Sequence, residues 1–417
     1  MTSSLQQLLV RSLALVAAVF AVATARAATD VPIDIDMSAE IAAGRFDPSR
    51  DAVGVRGSRA PLSWGSSLMA QPTGQGHYAL VVHFDRAPFG GQPVQYKFRI
   101  ERPGQGADAG WEAGRNSGLQ LDAARPAVAR VFDQPSPPIP PRRTGRIERL
   151  GVVPSRFVAP RAVQVWLPPS YAGDPKRRHP VLYLHDGQNV FDDEAAGAEW
   201  QADETAQRLA QAHRIDAPII VAIDSGADRF EEYTPTRVTV GADRSGTGRD
   251  ESKGGGAQAY ARFLIEELKP LIDRRYRTRP DAASTTVGGS SLGGLLSLWM
   301  AVHHPRTFGA ALVVSPSVWW DDEFARRDVL ALAPRGARPR VWLDIGAGEG
   351  AEAVPAVRRL RDALLDRGWT AATLSYHEDP DGSHDEASWA SRFEGMLLFV
   401  YARPPRPQAS ATRPASP

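Results

Sequence analysis

The stretch Val287-Gly288-Gly289-Ser290-Ser291-Leu292-Gly293-Gly294 decides the reading of this chain. A β-branched run, Thr285 to Val287, leads into it, and an almost wholly apolar segment, Leu295 to His304, follows. The first reads as a buried strand and the second as a buried helix, so the glycines and serines occupy a sharp strand-to-helix turn. Within that turn, Gly289-x-Ser291-x-Gly293 puts a glycine two residues to either side of one serine. A serine held at such a turn has a strained backbone, and large side chains two positions away would collide. Glycine removes the collision and leaves the hydroxyl standing above the end of the sheet. The helix N-terminus and the amide of Leu292 face the same point and favour a developing negative charge. Ser290 lacks the matching glycine pair. Ser291 is the candidate nucleophile.

A serine hydroxyl is a weak nucleophile at neutral pH and needs a base. On an α/β-hydrolase sheet the base comes last in chain order. His384 lies in Pro380-Asp381-Gly382-Ser383-His384-Asp385-Glu386, a turn-rich loop between the apolar run Ala372 to Tyr376 and a helix around Trp389 to Tyr401. The other late histidines sit elsewhere: His303 and His304 end the helix after the serine turn, and His377 closes a strand. A third group must orient the imidazole, and it should fall between Ser291 and His384. Leu343-Asp344-Ile345-Gly346-Ala347-Gly348-Glu349 offers two carboxylates. Asp344 belongs to an apolar strand, whereas Glu349 sits in the loop beyond it, where functional groups gather in open α/β sheets. Glu349 is favoured, with Asp344 as the alternative.

An oxyanion hole needs a second amide donor, and His185-Asp186-Gly187-Gln188-Asn189 follows the strand-like run Val181 to Leu184. Gly187 and Gln188 are the candidates beside Leu292. Asp186 and Asn189 read as loop-stabilising hydrogen-bond partners.

Strand-like runs at Val181–Leu184, Ile219–Ile223, Thr285–Val287, Val341–Ile345 and Ala372–Tyr376 alternate with amphipathic segments such as Val354 to Leu364, stopped by Gly368. That alternation implies a mostly parallel sheet with helices on both faces, an α/β hydrolase over residues 145–402. Before it, residues 29–134 carry short strands and turns, among them His77–Phe84 and Val94–Ile100, and read as a small all-β sandwich. A Pro-rich linker, 135–144, separates the two, and the Pro/Ala/Ser-rich tail 403–417 lacks apolar periodicity.

The chain of 417 residues has 49 basic and 48 acidic side chains, a balance that gives no electrostatic case for nucleic acid or an anionic membrane surface. It has no cysteine, which excludes disulfides, thiol nucleophiles and thiolate metal sites. Arg11, the apolar run Leu13 to Ala23 and Ala25-Arg26-Ala27 read as a secretory signal peptide, residues 1–28, cleaved after Ala27 or Ala28. The run is short for a lasting membrane anchor, so a periplasmic or secreted protein is expected.

The catalytic half resembles the esterase family that includes enterochelin (siderophore) esterases, feruloyl esterases and S-formylglutathione hydrolases. The matching segments are Val181 to Asp192, Ile223 to Pro235, Phe263 to Tyr276, Gly288 to Gly294, Ser315-Pro316-Ser317-Val318-Trp319-Trp320 and Gly382 to Trp389. The resemblance carries Ser291 and His384 over as catalytic and puts Glu349 where relatives often have Asp or Glu. It also implies Arg229, Tyr233, Trp319 and Trp320 near the substrate pocket. The first domain resembles a starch-binding-type carbohydrate module at Tyr96-Lys97-Phe98 and Trp111 to Asn116. That resemblance implies Trp64 and Trp111 as a sugar platform with an α-glucan contact; a spacer or lid over the pocket is the competing expectation.

These readings converge on a serine carboxylic-ester hydrolase that works through an acyl-enzyme, needs no cofactor or metal, and takes a siderophore ester or an acylated carbohydrate. An acyltransferase using the same triad and an inactive carbohydrate-binding protein are the alternatives. A metal-dependent hydrolase would need a paired-histidine motif such as H-E-x-x-H, which the sequence lacks.

Overall fold

The computed structural model describes residues 28–84, 94–106, 109–114, 116–119, 121, 126–134, 144–191, 199–240, 251–333 and 338–403. The expected signal peptide, most of the Pro-rich linker and nearly all of the tail lie outside these residues.

The N-terminal part contains strands β1 (Thr29–Asp36), β2 (Ala52–Gly57), β3 (Leu68–Met69), β4 (Gln71–Gly74), β5 (His77–Phe84), β6 (Val94–Glu101), β7 (Ser117–Leu119) and β8 (Val128–Val131). They form two four-stranded sheets, ordered β4-β5-β1-β8 and β3-β2-β6-β7. Alternate residues of both sheets point into one core: Val31, Ile33 and Ile35 from β1 meet Val53 and Val55 from β2 and Tyr96, Phe98 and Ile100 from β6. Period-two burial on facing sheets is what makes this a sandwich.

The second part is built on β9 (Arg146–Val153), β10 (Arg161–Leu167), β11 (Val181–His185), β12 (Ile219–Ile223), a hairpin of β13 (Arg237–Val240) and β14 (Glu251–Gly254), β15 (Thr285–Ser290), β16 (Ala310–Val314), β17 (Arg340–Gly346) and β18 (Leu374–Asp379). Eight of them form one sheet in the order β18-β17-β16-β15-β11-β12-β10-β9. The run from β18 to β12 is parallel, while β10 and β9 are antiparallel additions at one edge. The central strands are apolar on both faces. Tyr183, Val221, Val313 and Leu343 enter one core, and their neighbours Leu182, Ala222, Leu312 and Trp342 enter the core on the opposite face. Helices cover both faces, which is why these strands read as continuous apolar runs.

Three strands of the eight-stranded sheet have no counterpart in the sequence reading. Ala310–Val314 is a short apolar run close behind a buried helix, and periodicity alone does not separate the two. Arg161–Leu167 and the charge-laced edge strand Arg146–Val153 pair antiparallel, outside the strand–helix alternation that signals parallel strands.

Candidate active site

Ser291 stands between β15 and the helix Leu292–His303 with φ +57° and ψ −122°. A non-glycine residue seldom adopts that conformation, and it persists only where its surroundings enforce it. Here the Ser291 N–H donates to Val314 O at 3.0 Å and its carbonyl accepts from the Ser317 N–H at 3.0 Å. Of the two glycines that flank the serine, Gly289 is the crowded one: a Cβ there would lie 3.1 Å from the Gly293 backbone and 3.1 Å from the His185 ring, whereas one on Gly293 would meet nothing nearer than 3.4 Å. The next residue, Gly294, is tight as well, its Cβ falling 2.9 Å from Val314 O.

The Ser291 hydroxyl lies 3.0 Å from His384 Nε2. On the other side of the ring, Nδ1 is 2.7 Å from Glu349 Oε2. The second Glu349 oxygen accepts from the Ser315 hydroxyl at 2.6 Å and from the Gly346 N–H at 2.8 Å. The Glu349 side chain is 3% exposed and that of His384 46%. Burial pushes the Glu349 carboxyl up, but hydrogen bonds from His384, Ser315 and Gly346 outweigh it and hold the group below the usual glutamate range. A carboxylate in that state orients an imidazole and favours its charged form. The loops carrying the two residues are fastened together. Gly348 N–H donates to Gly382 O at 2.9 Å, and a Cβ on Gly346 would come within 2.4 Å of that same oxygen.

Asp344 is not brought to the histidine. It is fully buried in β17, where Oδ1 accepts from the Ser315 N–H and from Arg392 at 3.2 Å, and Oδ2 accepts from the Trp342 indole at 2.6 Å. Its role is to hold this buried network.

The helix after Ser291 begins at Leu292, so the Leu292 N–H belongs to the first turn, whose amides lack intrahelical acceptors. Across from it, Gly187, Gln188 and Asn189 form a short 3-10 turn after β11, entered through Asp186 at φ +56°. Gly187 packs directly on the β12 backbone, its absent Cβ 2.5 Å from Ile223 N. The Gln188 side chain is committed to Ser225, accepting its N–H at 3.1 Å and donating to its hydroxyl at 3.3 Å. This leaves its backbone as the relevant part.

Two of the residues implied near the pocket prove to be support. Tyr233 has no exposed surface; its hydroxyl accepts the Asp186 N–H at 3.3 Å. Trp320 is 3% exposed, packs in the main core and donates to Thr236 Oγ1 at 3.1 Å. Both lack the surface a substrate would touch. Arg229 forks onto Asp186 with two bonds of 2.7 Å, which secures the left-handed Asp186 at the 3-10 turn. Trp319, by contrast, is 64% exposed, and Phe230 is 45% exposed and lies over Trp320 with ring centroids 6.1 Å apart.

Trp64 and Trp111 are both half-buried. They pack on each other with centroids 6.2 Å apart, and the guanidiniums of Arg56 and Arg99 lie over Trp111.

Sequence reasoning missed Ser317, whose hydroxyl lies 3.1 Å from that of Ser291, and the Ser315 hydroxyl, which joins Glu349 to Trp389 and Arg392. The Ser315-Pro316-Ser317 run was the available signal. Among the described residues, Glu199, Asp203 and Glu204 bring ligand oxygens within 4.8 Å of one another and could hold a metal ion. Burial pushes both Asp203 and Glu204 upward, with the Asp203 charge adding to the effect on Glu204, so the cluster favours keeping a proton. It shares no residue with the serine site.

A serine turn at the C-terminal end of a central strand, on a largely parallel sheet covered by helices, is the architecture of serine hydrolases. The chain belongs to the family described as "Putative esterase", which matches residues 155–400, and is a carboxylic ester hydrolase. It is similar to YbbA of Bacillus subtilis, 24% identical over 250 residues that make up 58% of this chain and 93% of YbbA. It is 32% identical over 164 residues to the ferri-bacillibactin esterase BesA of B. subtilis, spanning 38% of this chain and 52% of BesA. With the iron(III) salmochelin esterase of Escherichia coli it shares 28% identity over 252 residues, 56% of this chain and 53% of that enzyme. The chain thus spans about half the length of these two named esterases. Among solved structures, the enterobactin esterase FES from Shigella flexneri shares the fold with a TM-score of 0.59 at 16% identity, covering 85% of this chain and 89% of that one. That coverage reaches beyond residues 155–400 into the N-terminal sheets. Among the described residues no helix is long and apolar enough to cross a membrane.

Proposed function

We propose that this protein hydrolyses a siderophore ester through an acyl-enzyme, with Ser291 as nucleophile, His384 as general base and acid, and Glu349 as the group that orients His384. The observation that carries the reading is the unbroken relay of Ser291 Oγ to His384 Nε2 at 3.0 Å and His384 Nδ1 to Glu349 at 2.7 Å. Ser291 Oγ attacks the ester carbonyl carbon while its proton passes to Nε2. The carbonyl oxygen becomes an oxyanion, held by the N–H of Leu292 and an N–H of Gly187 or Gln188. Collapse breaks the carbonyl–alkoxy bond, and the alcohol leaves with the proton from Nε2. Water then attacks the acyl-enzyme, giving its proton to the same nitrogen, and the acid departs as Ser291 regains a proton.

The substrate class is supported by relatives named as esterases of ferri-bacillibactin and iron(III) salmochelin. Exposed Trp319 and Phe230 supply aromatic surface suited to the aryl groups such esters carry. The apolar run Leu13 to Ala23 followed by Ala25-Arg26-Ala27 supports export of the mature chain.

The test offers the purified protein a catecholate trilactone, a feruloyl ester, an acetylated sugar and an activated acetyl aryl ester, and labels it with a fluorophosphonate. We expect one adduct, on Ser291, and the highest kcat/KM on the trilactone. An adduct on another residue removes the nucleophile; a preference for the feruloyl or sugar ester removes the siderophore reading.

A further inference from the structure

Two contacts join the N-terminal sheets to the loop between β18 and the last helix, Glu386–Tyr401, and both fall within a few residues of His384. Ser58 is anchored first. It follows β2, donates its N–H to Gln95 O at 2.9 Å and accepts the Gln95 N–H on its hydroxyl at 3.0 Å. Its carbonyl then accepts the Ser388 hydroxyl at 3.4 Å, and that hydroxyl in turn accepts the Ser383 N–H at 2.9 Å. Ser58 and Ser388 are 3% and 5% exposed, so this bridge is shielded from water. Next along the chain, the Arg59 guanidinium lies 3.5 Å from Asp381 Oδ2. Asp385, the residue after His384, caps the last helix by accepting the Ser388 N–H at 2.8 Å.

We propose that the segment Ser58–Arg59 sets the position of His384, making Arg59 a positioning residue for the esterase reaction; this rests on the reading of His384 as the base. Little else holds the ring. Its side chain is 46% exposed, bonded at Nδ1 to Glu349 and met edge-on by Trp389 at a centroid distance of 5.2 Å. The loop's entry is tied to the hydrolase sheet through Gly382 N–H to Asp379 O and Gly348 N–H to Gly382 O. Ser383 before His384 and Asp385 after it are both tied to Ser388, the residue whose hydroxyl Ser58 engages. Proton transfer needs Nε2 within hydrogen-bond reach of Ser291, and a misplacement of about 1 Å can cost about a hundredfold in rate. The sandwich is therefore a structural arm of the active site. Losing the contacts should slow chemistry without weakening the binding of a small substrate.

The experiment uses the full chain with the substitution Arg59→Gln, which leaves every residue of the hydrolase half in place. On an activated acetyl aryl ester we expect kcat to fall by about tenfold to a hundredfold with KM within about twofold of wild type, and fluorophosphonate labelling of Ser291 to slow in parallel. Arg59→Lys, which keeps the ion pair with Asp381, should recover most of the rate lost in Arg59→Gln. A folded Arg59→Gln variant with wild-type kcat overturns the proposal, as does equal kcat in Arg59→Gln and Arg59→Lys. Should Arg59→Gln fail to fold, Arg59→Met, which keeps the aliphatic stem and lacks the charge, takes its place, and wild-type kcat there overturns it. His384→Ala separates the layers. If that variant keeps wild-type activity, the base assignment falls and takes this inference with it. If it is inactive while Arg59→Gln turns over normally, only the positioning role falls.

Discussion

Replacing Glu349 by glutamine is the smallest change that tests the relay, because shape is kept and only the donor pattern changes. Glu349 Oε1 accepts two hydrogen bonds, from the Ser315 hydroxyl and the Gly346 N–H, and Oε2 accepts one from His384 Nδ1. A glutamine must keep its single oxygen where the two donors point. Turning the amide over would forfeit both bonds, at about 1 kcal/mol each. The amide NH₂ group then faces Nδ1, which becomes the acceptor, and the imidazole proton moves to Nε2. There it faces Ser291 Oγ at 3.0 Å and cannot accept the serine proton. The preference of about 2 kcal/mol for this tautomer corresponds to roughly a thirtyfold loss of competent enzyme. Loss of the carboxylate that stabilises the imidazolium adds the rest, for a fall in kcat of about 10³–10⁴. The assay is kcat on an activated aryl ester at saturation, with thermal melting to show that the variant is folded. Asp344→Asn is the contrast. It removes a buried charge paired with Arg392, so it should cost about 3 kcal/mol of stability and far less than tenfold in kcat. A glutamine variant that retains more than a tenth of wild-type kcat, or an Asp344 variant that is folded and inactive, would refute the reasoning.

Gly289→Ala places a methyl 3.1 Å from the Gly293 backbone and the His185 ring, neither of which can move freely. It should destabilise the fold by about 1–3 kcal/mol, read as a lower urea midpoint at unchanged m. His185 is the pH-sensitive element: burial, aided by the charges of Arg229 and Arg161, lowers it from 6.5 to about 3. Below about pH 6.5 the unfolded chain takes up a proton that the folded one refuses, so stability falls with pH and the loss levels off near pH 3. Between pH 7 and pH 5 this amounts to roughly 2 kcal/mol, and His185→Gln should lose that part of the slope in urea unfolding at the two pH values. An identical slope in the variant would show that other groups carry the dependence.

Much of the site is legible in the chain because its parts are local. The strand, the spaced glycines and the apolar helix around Ser291 are contiguous, and their geometry follows from excluded volume within eight residues. The order of serine, acid and histidine along the chain is likewise visible, as is the alternation that builds a parallel sheet covered on both faces. Tertiary structure alone decides what depends on direction and on distant neighbours. Asp344 and Glu349 are five positions apart and both carry a carboxyl group. The pleat turns Asp344 into the core toward Trp342 and Arg392, while the approach of Gly346 and Gly348 to Gly382 carries Glu349 to His384. Tyr233 and Trp320 look like pocket aromatics in sequence, yet helix and hairpin packing leaves them no free surface. The contact of Ser58 with Ser388, 330 residues further along the chain, is likewise invisible in the sequence. Periodicity encodes which face of an element is apolar; which neighbour that face meets is set by long-range packing, and no local pattern records it.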